Sequence, residues 1–106
     1  MNDTPQLIHI VQYEVDDYAK GTTFGGITYP ISDAERQTYS VIIVPDVPRK
    51  YKAGVVVVAR VLNDKVIIDE DITDRPLWEE LVRAGIPREQ IILAYAGEKA
   101  PEPPES

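Results

Sequence analysis

The run Val55-Val56-Val57-Val58-Ala59-Arg60-Val61-Leu62 constrains this chain more than any other, because only Arg60 in it is polar. A strand that faces water on one side alternates apolar and polar residues, and this one does not. It asks for cover on both faces. Asn63-Asp64 follows, a pair suited to a two-residue turn because both side chains tolerate positive φ. Lys65-Val66-Ile67-Ile68-Asp69 returns as the second arm of a hairpin. A second dense strand, Thr38 to Val44, is apolar throughout from Val41 to Val44 and closes at Pro45-Asp46-Val47-Pro48.

The remaining pieces surround this sheet. Thr4 and Pro5 fit an N-cap and first helical position, and Leu7, Ile8, Val11, Val15, Tyr18 and Ala19 share one face at helical spacing. Lys20-Gly21 then supplies a stop. A period of two through Leu7, His9, Val11, Tyr13 and Val15 would also suit a strand, but the two end signals decide for a helix. Gly21 to Gly26 is a connecting loop, since it lacks the lysine, hydroxyl and preceding strand of a phosphate cradle. Ile27 to Ile31 reads as a short strand whose Pro30 suits a sheet edge. After the hairpin, Thr73 or Asp74 can cap a helix with Pro76 in its first turn. Leu77, Trp78, Leu81 and Val82 form its buried face, and Gly85-Ile86 makes a Schellman stop. Pro87 to Gln90 is a single helical turn and Ile91 to Tyr95 a last strand.

The expected class is therefore α+β: an N-terminal helix, an antiparallel sheet of four to five strands, then a C-terminal helix and a last strand, in the order α-β-β-β-β-α-β. At 106 residues the chain fits one domain, assigned to residues 1–96, with 97–106 a disordered Pro/Glu-rich tail. Two helices on one face of such a sheet would leave a Val/Ile-rich surface open, and soluble proteins use such patches for association. Ile42, Val44, Val56 and Val58 are the candidate interface residues, and a homo-oligomer or a partnered protein follows from them.

No chemistry competes strongly with that reading. His9 is the only histidine and has no second ligand at metal spacing. Asp69-Glu70-Asp71 with Asp74 lacks the glycine and bidentate glutamate of a calcium loop, and reads as a solvated strand end and helix cap. Cysteine is absent, and no serine, histidine and aspartate set suggests a triad. We therefore expect no catalytic residue, no metal and no cofactor. Arg49, Lys50 and Lys52 form the one basic cluster and the only candidate phosphate contact. With 18 acidic against 11 basic residues and a net charge of −7, direct nucleic-acid binding is disfavoured and a basic protein partner favoured. No apolar run approaches the roughly 20 residues that span a bilayer, and no signal peptide is visible, so a cytoplasmic protein is expected.

From Asp33 to Tyr95 the sequence resembles the XisI family of small, mainly cyanobacterial proteins, named as controlling factors for excision of the fdxN element. Asp33-Ala34-Glu35-Arg36-Gln37-Thr38-Tyr39 leads into a strand, and the hairpin ends Asn63-Asp64-Lys65-Val66-Ile67-Ile68. The most specific piece runs from Thr73-Asp74-Arg75-Pro76-Leu77-Trp78 through Gly85-Ile86-Pro87 to Ile91-Ile92-Leu93-Ala94-Tyr95. Two features depart from the family. Ile67 stands where tryptophan is frequent, and a Pro/Glu tail replaces the usual His-Pro-Pro and Phe-Ala-Val ending. The resemblance implies a non-enzymatic protein that acts with a XisH-type, nuclease-like partner in DNA-element excision. The alternatives are a homo-oligomeric binding module without an excision role, or a weak DNA binder through Arg49 to Lys52.

Overall fold

The computed structural model describes residues 4–20, 26–46 and 52–100. Helix α1 (Thr4–Asp17) is followed by strands β1 (Gly26–Asp33), β2 (Thr38–Pro45), β3 (Gly54–Leu62) and β4 (Lys65–Asp71). Helix α2 (Leu77–Arg83), a 3₁₀ turn at Arg88–Gln90, strand β5 (Ile91–Leu93) and a second 3₁₀ turn at Ala94–Ala96 complete the order. The strands form one sheet in sequence order, β1 to β4 antiparallel and β5 parallel to β4. The α+β class and the order expected from the sequence are both present. The parallel final strand follows from topology, because α2 carries the chain back across the sheet before β5 begins. The last strand also ends sooner than expected, at Leu93, where the chain turns into a 3₁₀ helix.

Each element can be traced to its residues. Helix α1 buries Leu7, Val11 and Val15, the i, i+4, i+8 stripe that decides for helix over strand. Both helices lie on one side of the sheet, where those residues join Tyr39, Val41, Val57, Ala59, Val61, Val66, Ile68, Leu77, Leu81, Ile86 and Ile91 in one buried cluster. Burying each of the larger aliphatic side chains contributes about 1.5–3 kcal/mol. Asn63 alone of the turn pair takes a positive φ, of 57°, between Leu62 and Lys65. Helix α2 stops as expected: Gly85 takes φ 108°, its N–H donates to the Val82 carbonyl, and the Ile86 N–H donates to that of Leu81. Ile86 is buried against the core, as the Schellman contact requires.

The start of α2 differs from expectation. Neither Thr73 nor Asp74 caps it. Pro76 occupies the cap position without a side-chain bond, and the carboxylate of Asp71, at the end of β4, accepts the Leu77 N–H at 2.7 Å. The same carboxylate accepts the Thr73 N–H at 2.9 Å and its hydroxyl at 2.6 Å. On α2 itself Leu77 and Leu81 are buried, Trp78 is partly so, and Val82 is exposed.

Contacts at both ends tie α1 to its surroundings. The Thr4 hydroxyl donates to the Asn63 carbonyl at 3.1 Å, joining the helix start to the hairpin turn. At the other end the Tyr18 hydroxyl donates to the Arg75 carbonyl, and the Arg75 guanidinium lies 4.5 Å from the Tyr18 ring centroid. Burial pushes the Tyr18 phenol up to about 12. No helix is long and apolar enough to cross a membrane among the described residues.

Candidate interaction face

With both helices packed on one side, the other face of the sheet is left without a helix over it. Its residues follow from the register. Ile27, Tyr29 and Ile31 of β1 stand opposite Val44, Ile42 and Ser40 of β2. Ile42 in turn pairs with Val55 of β3, and Ser40 with Val58. Ile27, Tyr29 and Ile31 are 55%, 44% and 47% exposed, and Val44 and Val55 are also open. Ile72, just past β4, is 66% exposed, and its N–H donates to the Val56 carbonyl at 3.0 Å. The result is a largely aliphatic and aromatic surface across β1 to β3, with Ser40 standing between Ile31 and Val58.

The register places the expected interface residues unequally. Ile42, Val44 and Val58 lie on this uncovered face. Val56 does not. The β2–β3 register shifts between Val41 and Ile42, so that Val57 pairs with Val41 and Val55 with Ile42. The extra residue is Val56, and the bulge turns it toward the helices, where it packs against the core cluster. Strict alternation counts Val56 together with Val58; Val55 takes that place instead. Ile27, Tyr29 and Ile31 were legible only as a short edge strand, since an edge strand with Pro30 in it does not announce which face is open.

The edges of the sheet are poor docking sites by comparison. Pro30 removes one backbone donor from β1, and β5 is a three-residue strand with a 3₁₀ turn at each end. The uncovered face also ends toward β4. Ile67 points to the same side as Val58 but is fully buried. Arg60 stands across from it, and the Arg60 guanidinium donates to Asp69 at 2.7 Å, while Ile92 of β5 flanks it on the other side. Beyond Ile92, a cleft of about 570 Å³ is lined by Leu62, Asn63, Asp64, Lys65, Ile92, Lys99 and Ala100. The chain after β5 therefore returns over the hairpin end of the same face.

That geometry can be set beside known proteins. The family model for XisI protein matches residues 1–102. The chain belongs to the XisI family. The crystal structure of a XisI-like protein from Anabaena variabilis is similar at a TM-score of 0.75 and 26% identity, covering 84% of each chain. The crystal structure of the fdxN element excision controlling factor XisI from the same organism shares the fold at a TM-score of 0.68 and 24% identity, covering 84% of this chain and 88% of that one. No curated protein matches.

Within this chain the other sequence candidates fall apart from one another. Arg49 and Lys50 lie outside the described residues, and Lys52 is exposed just before β3. His9 is exposed on α1, beside Gln12, Tyr13 and Asp16. The three acids at the end of β4 serve three different purposes. Asp69 holds Arg60, Glu70 accepts the Asp71 N–H at 3.0 Å, and Asp71 fastens the start of α2. Gln90, almost fully buried, donates its side-chain amide to the Asp64 carbonyl at 2.8 Å and so braces the hairpin turn.

Of the tail expected to be disordered, residues 101–106 lie outside the described residues. Glu98 is tied down. Its carboxylate accepts the Leu93 N–H at 2.8 Å and an Arg88 N–H at 3.0 Å, and its own N–H returns to the Leu93 carbonyl. The Leu93 amide, and then Arg88, hold this carboxyl below its ordinary 4.5. A depressed carboxylate contributes stability above its unfolded value and loses it as pH falls through the folded one. Protection of the Leu93 amide from hydrogen exchange is accordingly expected to be constant above about pH 5 and to fall below 4.5, and Glu98→Gln should abolish that pH dependence.

Proposed function

We propose that this chain is an accessory protein of a DNA-element excision system, acting without catalysis of its own by holding a XisH-type, nuclease-like protein on the uncovered sheet face. The exposed β1–β3 surface carries this reading. Ile27, Tyr29, Ile31, Val44 and Val55 stand open on a face that neither helix covers, and contiguous apolar patches on soluble proteins mark association sites. Membership of a family that includes a named excision controlling factor supplies the system. The net charge of −7 suits a basic, DNA-acting partner better than DNA itself. Such a role belongs in the cytoplasm, beside the DNA.

The experiment is co-purification with a XisH-type protein, followed by calorimetry. The wild-type chain should form a stable complex. Tyr29→Asp, which places a charge in the middle of the patch, should raise Kd at least thirtyfold, or about 2 kcal/mol. Its melting temperature should stay within a few degrees of wild type, because Tyr29 is not in the core. A wild-type chain that forms no complex, or a Tyr29→Asp chain that binds unchanged, refutes the assignment. A gel shift at physiological salt that depends on Lys52 would favour direct DNA contact in its place.

A further inference from the structure

The uncovered face is not uniformly apolar. Glu70 stands at its β4 margin, cross-strand from Val58 and two residues before the exposed Ile72. Among the described residues its one hydrogen bond is local, from the N–H of Asp71, and it makes no ion pair. The nearest cation in the register, Arg60, is already held by Asp69 at 2.7 Å. In water Glu70 is simply solvated. A partner that covers Tyr29, Ile42 and Val58 would strip that water away, and a buried carboxylate without a counter-charge opposes binding strongly.

We infer that Glu70 is the recognition carboxylate of this face, and that the occupant is a partner protein presenting an arginine or lysine within an apolar surface. The inference rests on the docking reading above and specifies its chemistry. Arginine set among apolar contacts is a recurrent hot spot, since its fork satisfies both carboxylate oxygens while its stem packs against the surroundings. The same argument disfavours a second copy of this chain. Two faces brought together about a two-fold axis would bury a Glu70 from each copy, with the nearby Arg60 of each already engaged. An acidic chain also approaches its own copy against its net charge of −7.

Calorimetric titration with a purified XisH-type protein tests this. Glu70→Gln should raise Kd about tenfold and flatten its dependence on salt, and Glu70→Arg should raise it at least thirtyfold. Both variants should melt with wild type, because Glu70 is exposed. If both bind within twofold of wild type while Tyr29→Asp does not bind, the role of Glu70 is refuted and the docking face stands. If Tyr29→Asp binds as well as wild type, the docking face fails and Glu70 with it. If sedimentation shows a dimer of the free chain that Tyr29→Asp dissociates, the occupant is a second copy and the inference is overturned.

Discussion

Replacing Asp71 by alanine is expected to lower the unfolding free energy by about 3 kcal/mol, the sum of two charge-assisted hydrogen bonds whose donors lose their acceptor. The Leu77 N–H is one of the helix's orphan donors, and with proline at the cap position no other side chain reaches it. The Thr73 N–H loses its partner as well, whereas the Thr73 hydroxyl keeps the Arg75 carbonyl at 2.8 Å. Asp74→Ala is the matched control. That residue is exposed and forms no bond to α2, so its loss should change stability by no more than about 0.5 kcal/mol. Urea unfolding of the two variants measures both numbers. Equal destabilisation would show that Asp74 also caps the helix in solution.

That contrast shows where local sequence rules end. Thr73 and Asp74 stand where a cap belongs, a few residues before an apolar run, and a short-range rule chooses between them. Asp71 is six residues from the amide it accepts, and only the turn between β4 and α2 brings the two together. Wherever a signal and its effect are adjacent, the sequence is a good guide. Gly85-Ile86 stops α2 as expected, Asn63 turns the hairpin, and the Leu7, Val11, Val15 stripe makes α1 a helix. The valine run is legible as a strand needing cover on both faces, and the two helices do cover only one. What alternation misplaces is Val56, because one bulged residue reverses the face of everything upstream of it in the strand. The parallel direction of β5 was equally out of reach, since it is fixed by where α2 lands and not by anything in Ile91–Leu93.

The uncovered face itself should divide into two energetic halves, and Ile67 against Ile31 measures the division. Both point away from the helices. Ile67 is fully buried between Arg60 and Ile92, whereas Ile31 on the edge strand is 47% exposed. Ile67→Ala removes aliphatic atoms from a site whose neighbours are fixed by backbone pairing on both sides. It is expected to cost about 3 kcal/mol, within the range for buried large-to-small changes. Ile31→Ala removes atoms that water already touches and should cost no more than about 1 kcal/mol. Partner binding should show the opposite order, with Ile31→Ala weakening the complex and Ile67→Ala leaving its affinity unchanged at temperatures where the variant is folded. Thermal unfolding and calorimetry on the same two proteins give both orders. If Ile67→Ala destabilises no more than Ile31→Ala, the β4–β5 half is as open in solution as the β1–β3 half, and the docking surface extends across the whole sheet.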